Sequence, residues 1–207
     1  MTYSRATAAV SLTLLFAPAA MGAAPAAKPA KASLSFYWII DESSAQYRGR
    51  ADAVLRDVRG RVIAHTTRKF RRALVLEGTG WLRDGRAVMY ECKAGGEHRF
   101  RVAKEKCGFA VTGCALIPFR TAAVDPHFIK LGSKIYIPQL KGARLPDGTI
   151  HDGVFLATDR GHFRGRHVDL FVGAGARGAR PFVQRGYGSR SHVTVVPLGS
   201  DGSRCGQ

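Results

Sequence analysis

From residue 34 to residue 197 the apolar residues come in short runs, each closed by a glycine or a turn dipeptide. That spacing restricts the chain to strands joined by tight turns. Residues 34–40 (LSFYWII) are aromatic and β-branched. Residues 53–58 and 61–66 flank Arg59-Gly60 as a hairpin would. Residues 73–77 and 86–91 read as two further strands, with an Asp84-Gly85 turn between them, and 98–102 alternates weakly. Residues 134–137, 153–158, 168–172 and 193–197 complete the set. Long helical periodicity and internal repeats are absent, and the 24 glycines serve mostly as punctuation. The expectation is a mainly all-β chain, a small barrel or a sandwich.

The N-terminus reads differently. Residues 1–23 carry Arg5, a short apolar stretch and a small-residue end, the pattern of a secretory signal peptide. Residues 24–33 are an Ala/Pro/Lys linker, too poor in large apolar groups to be expected to pack. The remaining partition is a β-rich segment over 34–105, a barrel over 106–198 and a tail over 199–207. The expected location is periplasmic or extracellular, with no stable membrane anchor. In an oxidising compartment the four cysteines (Cys92, Cys107, Cys114 and Cys205) are expected to form at least one disulfide, involving Cys107 or Cys114. Three pairings are open, and Cys205, near the end, could be free. No Cys-x-x-Cys or His-x-x-x-His spacing supports a metal, and no cofactor is indicated.

Thirty-two basic residues against fifteen acidic ones give a net charge of +17. Such an excess favours an anionic partner. Nucleic acid is not expected: the basic residues are spread along the chain, and no nucleic-acid-binding motif accompanies them.

Three aspartates stand out. Asp169 lies inside an apolar strand (VDLFV), where desolvation would keep its carboxyl protonated, and Asp159 nearby would reinforce that by like-charge repulsion. Two carboxyls in unlike environments can divide the work of glycosidic cleavage, one as proton donor and one as anion. Arg164 and Arg166 could hold anionic substrate groups, and His162 and His167 could hydrogen-bond a sugar or the loop. Asp125, before Pro126, reads as a structural cap for one turn of helix.

The run TAAVDPHFIKLGSKIYIP, followed by DGVFLATDRGHFRGRHVDLFVG, resembles the bacterial three-aspartate (3D) domain. That domain occurs in membrane-bound lytic transglycosylase A and in small secreted relatives. The resemblance spans roughly residues 107–173. It implies a six-stranded double-psi β-barrel, with Asp125, Asp159 and Asp169 as the three aspartates. It also implies that Asp169 is the acid/base of a peptidoglycan lytic transglycosylase releasing a 1,6-anhydro product, with glycan strands as its partner. Two departures are visible. Asp159 and Asp169 stand ten positions apart where eleven is usual, and Arg164 replaces the usual Lys. The alternative reading is a non-catalytic double-psi barrel that binds wall polysaccharide.

Overall fold

The structure is a computed structural model and describes residues 28–200 together with Cys205. The segment expected to be a signal peptide lies outside the described residues. In chain order the elements are β1 (Ala30–Asp41), β2 (Ala53–Arg56), β3 (Val62–Thr66), α1 (Arg68–Glu77), β4 (Thr79–Trp81), β5 (Ala87–Ala94), β6 (Glu97–Ala103), β7 (Thr121–Val124), β8 (Ser133–Tyr136), β9 (Val154–Arg160), β10 (His167–Ala174), α2 (Arg180–Val183) and β11 (His192–Gly199). The mainly β class expected from the sequence is the class observed.

Six strands close on themselves. β1 runs parallel to β10 and antiparallel to β11. The ring continues from β10 through β7, β9 and β8 back to β11. Closure leaves no free edge among these strands. Alternation along each strand sends Leu34, Phe36, Val124, Phe155, Val168 and Leu170 inward. Phe182 of α2 plugs the core and stacks on Phe36, with ring centroids 5.8 Å apart.

β1 outruns the barrel. Its last residues, Ile40 and Asp41, pair with Gly80 and Trp81 of β4, which leads into the antiparallel β4–β5–β6 sheet. Gly80 is required there, because a Cβ would come within 2.8 Å of Ile40 and 2.9 Å of Phe70. The β2–β3 hairpin and α1 join this sheet around a second core of Leu55, Phe70, Leu74, Val88 and Phe100.

Three expectations need correction. Residues 73–77, read as a strand, are the second half of α1. Thr67 caps the helix by accepting from the Phe70 amide at 3.1 Å, Gly78 ends it at φ 83°, and Phe70 and Leu74 form one buried stripe four residues apart. The charged residues 68–72 hide that stripe in a reading by hydrophobic runs. Residues 30–33, read as linker, are strand: Ala30–Ser33 pair with β11, and Ala32 is buried in the barrel. A barrel interior accepts small side chains, and backbone pairing does not depend on side-chain size. β1 therefore belongs to the barrel rather than to a separate segment beginning at residue 34. Finally, Asp125-Pro126 opens a hydrogen-bonded turn rather than a turn of helix.

One disulfide joins Cys114 to Cys205, and Cys92 and Cys107 are free. Cys205 is thus paired, with the loop preceding β7. No helix among the described residues is long and apolar enough to cross a membrane.

Candidate active site

Asp159 and Asp169 reach one surface through strand register. Ser35 of β1 is opposite Asp169 of β10, Asp169 is opposite Ala123 of β7, and Ala123 is opposite Asp159 of β9. Residues in register on adjacent strands share a face, so this row presents both carboxylates together on the outside of the barrel. Ala123, between them, is too small to intervene. The register depends on an irregularity. Ala122 pairs with Ala157, yet the next residue, Ala123, pairs with Asp159, skipping Thr158. That bulge re-aims Asp159.

The two carboxylates have unlike surroundings. Asp159 accepts from the Arg160 amide at 2.9 Å, the Val111 amide at 3.2 Å and the Tyr37 hydroxyl at 3.0 Å. Burial raises its pKa, and these donors oppose the rise. Asp169 accepts from the Ser35 hydroxyl at 2.7 Å. Burial, with a further push from Asp159, raises it to about 6 against the pull of Ser35. Asp169 is therefore the better proton donor near neutrality, and Asp159 the better fixed anion.

Ser35 also lies 2.7 Å from His167 Nε2. With its single proton given to Asp169, Ser35 accepts from His167, which requires the Nε2–H tautomer. Burial lowers the pKa of His167, which favours the neutral ring. Phe163 packs on that ring with centroids 4.1 Å apart.

A groove of about 700 Å³ holds both aspartates. The barrel supplies one wall, including Tyr37 and the loop residues His162, Phe163 and Arg164; α1 and β5 supply the other, including Glu77 and Tyr90. Burial raises Glu77 to about 7, with an added push from Asp169, against the hydrogen bond it accepts from the Trp38 amide at 3.3 Å.

Of the residues singled out from the sequence, Asp159, Asp169, His162 and Arg164 line this groove. His167 stands behind Asp169, connected through Ser35. Arg166 is exposed and is not among the groove residues; its carbonyl accepts from the Ser33 amide at 2.9 Å. Asp125 lies off the groove wall. It accepts from the Gly165 amide at 2.6 Å through one oxygen and from the His127 amide at 3.0 Å through the other. These bonds, with the His127 ring, hold its pKa at about 2. Asp125 thus ties the 160–166 loop to the barrel. Ser35, Tyr37 and Glu77 were not singled out. The alternation in LSFYWII does place Ser35 and Tyr37 on one face, which was the available signal. No group of His, Cys, Asp and Glu among the described residues could hold a metal.

Residues 120–197 match the 3D domain family. The fold is similar to the membrane-bound lytic murein transglycosylase from Agrobacterium tumefaciens, with a TM-score of 0.54 and 15% identity over 83% of this chain and 76% of that one. It is also similar to E. coli MltA with bound chitohexaose, with a TM-score of 0.59 and 10% identity over 82% of this chain and 72% of that one. No curated protein matches by sequence. The double-psi barrel expected from the sequence is the fold of these neighbours.

Proposed function

We propose that this chain, with its 3D domain over residues 120–197, is an exported peptidoglycan lytic transglycosylase. The observation that carries this reading is the pair of carboxyls in one groove, one held near pKa 6 and the other fixed by three donors. The substrate class is supported by the fold, which is shared with a lytic murein transglycosylase and with a protein solved with bound chitohexaose.

In the proposed reaction a glycan strand lies along the groove. Protonated Asp169 delivers its proton to the glycosidic oxygen between N-acetylmuramic acid and N-acetylglucosamine as the bond to C1 breaks. Ionised Asp159 faces the positive charge that develops on the sugar. Asp169, now a carboxylate, takes the proton of the sugar's 6-hydroxyl, and O6 closes on C1 to give the 1,6-anhydro product. Asp169 ends protonated, ready for the next cycle, and no water is consumed. His162 and Arg164 contact substrate from the loop on the barrel side of the groove, and His167 positions Asp169 through Ser35.

The experiment is digestion of purified sacculi followed by mass spectrometry of the soluble products. Release of 1,6-anhydro muropeptides supports the reading. Reducing-end products would replace it with hydrolysis. Binding to sacculi without release would replace it with a non-catalytic wall-binding barrel.

A further inference from the structure

A second concavity lies on the β4–β6 side of the molecule, away from both aspartates. It has a volume of about 370 Å³ and is lined by Arg56, Arg68, Arg71, Arg72, His98 and Arg99. Asp52 and Glu97 are the acidic residues of its wall. Five arginines against two carboxylates leave an excess of three positive charges. Arg68 is 3.7 Å from Asp52, and Arg71 is 3.1 Å from Glu97. Arg72 and Arg99 take part in no ion pair with the described residues.

Local rules argue against this arrangement forming for stability alone. Arg68, Arg71 and Arg72 stand at i, i+3 and i+4 on one face of α1, where like charges repel. Arg68 and Arg71 also fall in the first turn, which has no acidic residue and where the helix dipole disfavours cations. β6 adds Arg99 to the same concavity. The Nε atoms of Arg71 and Arg99 and the Nδ1 of His98 are buried without a hydrogen-bond partner. Buried donors left unpaired are costly, and their cost falls if the guanidinium forks close on an oxyanion. Arg71 is already held over the Phe100 ring, 6.0 Å from its centroid, so part of the site is preorganised.

We propose that this pocket is a phosphate-binding site, separate from the catalytic groove, for a ligand carrying at least two phosphate groups. The three excess charges call for a multivalent anion. The volume falls in the range of small-molecule sites, larger than one phosphate requires. The same chemistry is offered by a free phosphorylated metabolite and by a phosphodiester-linked wall polymer.

The test is isothermal titration calorimetry at physiological ionic strength with two probes, inorganic pyrophosphate and a short poly(glycerol phosphate). The proteins are wild type, Arg72→Gln/Arg99→Gln, and a control, Lys130→Ala/Arg177→Ala, that removes the same charge from exposed positions elsewhere. Circular dichroism checks folding. The expected result is binding of at least one probe by wild type, a loss of at least tenfold in the Arg72/Arg99 variant and less than twofold in the control. Preference for pyrophosphate assigns the site to a free ligand, and preference for the oligomer assigns it to a polymer. Equal weakening in both variants overturns the proposal, since net charge alone would then account for binding. Absence of binding of either probe to wild type overturns it as well. If Arg72→Gln/Arg99→Gln does not fold, Arg72→Gln alone, at an exposed position, is compared with Lys130→Ala alone, which removes the same single charge.

Discussion

Ser35 donates its hydroxyl proton to Asp169 across 2.7 Å, although 134 positions separate the two in sequence. Parallel pairing of β1 with β10 sets them side by side. Because the bond favours the charged carboxylate, Ser35→Ala should move Asp169 further up from about 6. If Asp169 acts as the acid, the alkaline limb of the pH–rate profile then shifts upward. A net hydrogen bond of about 1 kcal/mol gives a shift of somewhat under one pH unit. Measuring kcat against pH for both proteins checks this; a downward shift would contradict it.

Asp169→Asn should abolish release of anhydro products, by at least ~10²–10⁴-fold, with the fold retained. Asp159→Asn should slow release less, because its part is electrostatic. The assay is product release from sacculi with circular dichroism as the folding control, and wild-type release by folded Asp169→Asn would refute the assignment.

The same substitution has a pH signature in stability. Asp169 titrates near 3.8 when unfolded and at about 6 when folded, so the folded state binds the proton more tightly. Stability is therefore lost as pH rises from about 4 to about 6, by up to ~3 kcal/mol at this site. Glu77, raised to about 7, extends the loss upward. Asp169→Asn should melt higher than wild type at pH 8, and this advantage should vanish by pH 3. Thermal melts at the two pH values measure the difference.

Asp125→Asn separates the structural reading from the sequence-based one. Asparagine caps turns about as well as aspartate, so the sequence predicts little effect. In the structure both carboxylate oxygens accept from backbone amides, at His127 and Gly165. An amide supplies one acceptor and turns a donor toward the other N–H. Asp125→Asn should therefore loosen the 160–166 loop, raising KM more than it lowers kcat. Faster hydrogen exchange at Gly165 is the direct measurement.

Cys114 and Cys205 close a loop of 91 positions. Removing a crosslink over such a loop costs about 2–5 kcal/mol. Cys114→Ser/Cys205→Ser should melt lower than wild type, and reductant should lower the wild type to the same value. Alkylation without reductant should label Cys92 and Cys107 and spare the other two.

The strands of the second half were legible because each is a short apolar run closed by turn residues: residues 154–158 and 168–172 fall within β9 and β10. Asp159 and Asp169 were legible because a carboxylate in an apolar strand is an anomaly with few explanations. Three other features were not. α1 was hidden because Phe70 and Leu74 are separated by charged residues that only a helical projection puts aside. The opposite wall of the groove, with Glu77 and Tyr90, depends on how the second sheet folds back, which no local pattern encodes. His151, which reads as a loop residue, is fully buried because its ring nitrogens meet the Phe119 carbonyl and the Gly153 amide at 2.6 and 2.7 Å.

The strand order has a kinetic consequence. β1 is made first among the strands, yet its barrel partners are the last two, β10 and β11. Such pairing must close the longest loop in the domain before it gains any contact energy. A nascent or truncated chain can therefore assemble the β4–β6 sheet from local pairings while Ser35 still lacks Asp169. The groove is a property of the finished chain: no fragment ending before residue 169 contains it, so any glycan-cutting capacity switches on only with completed synthesis and barrel closure.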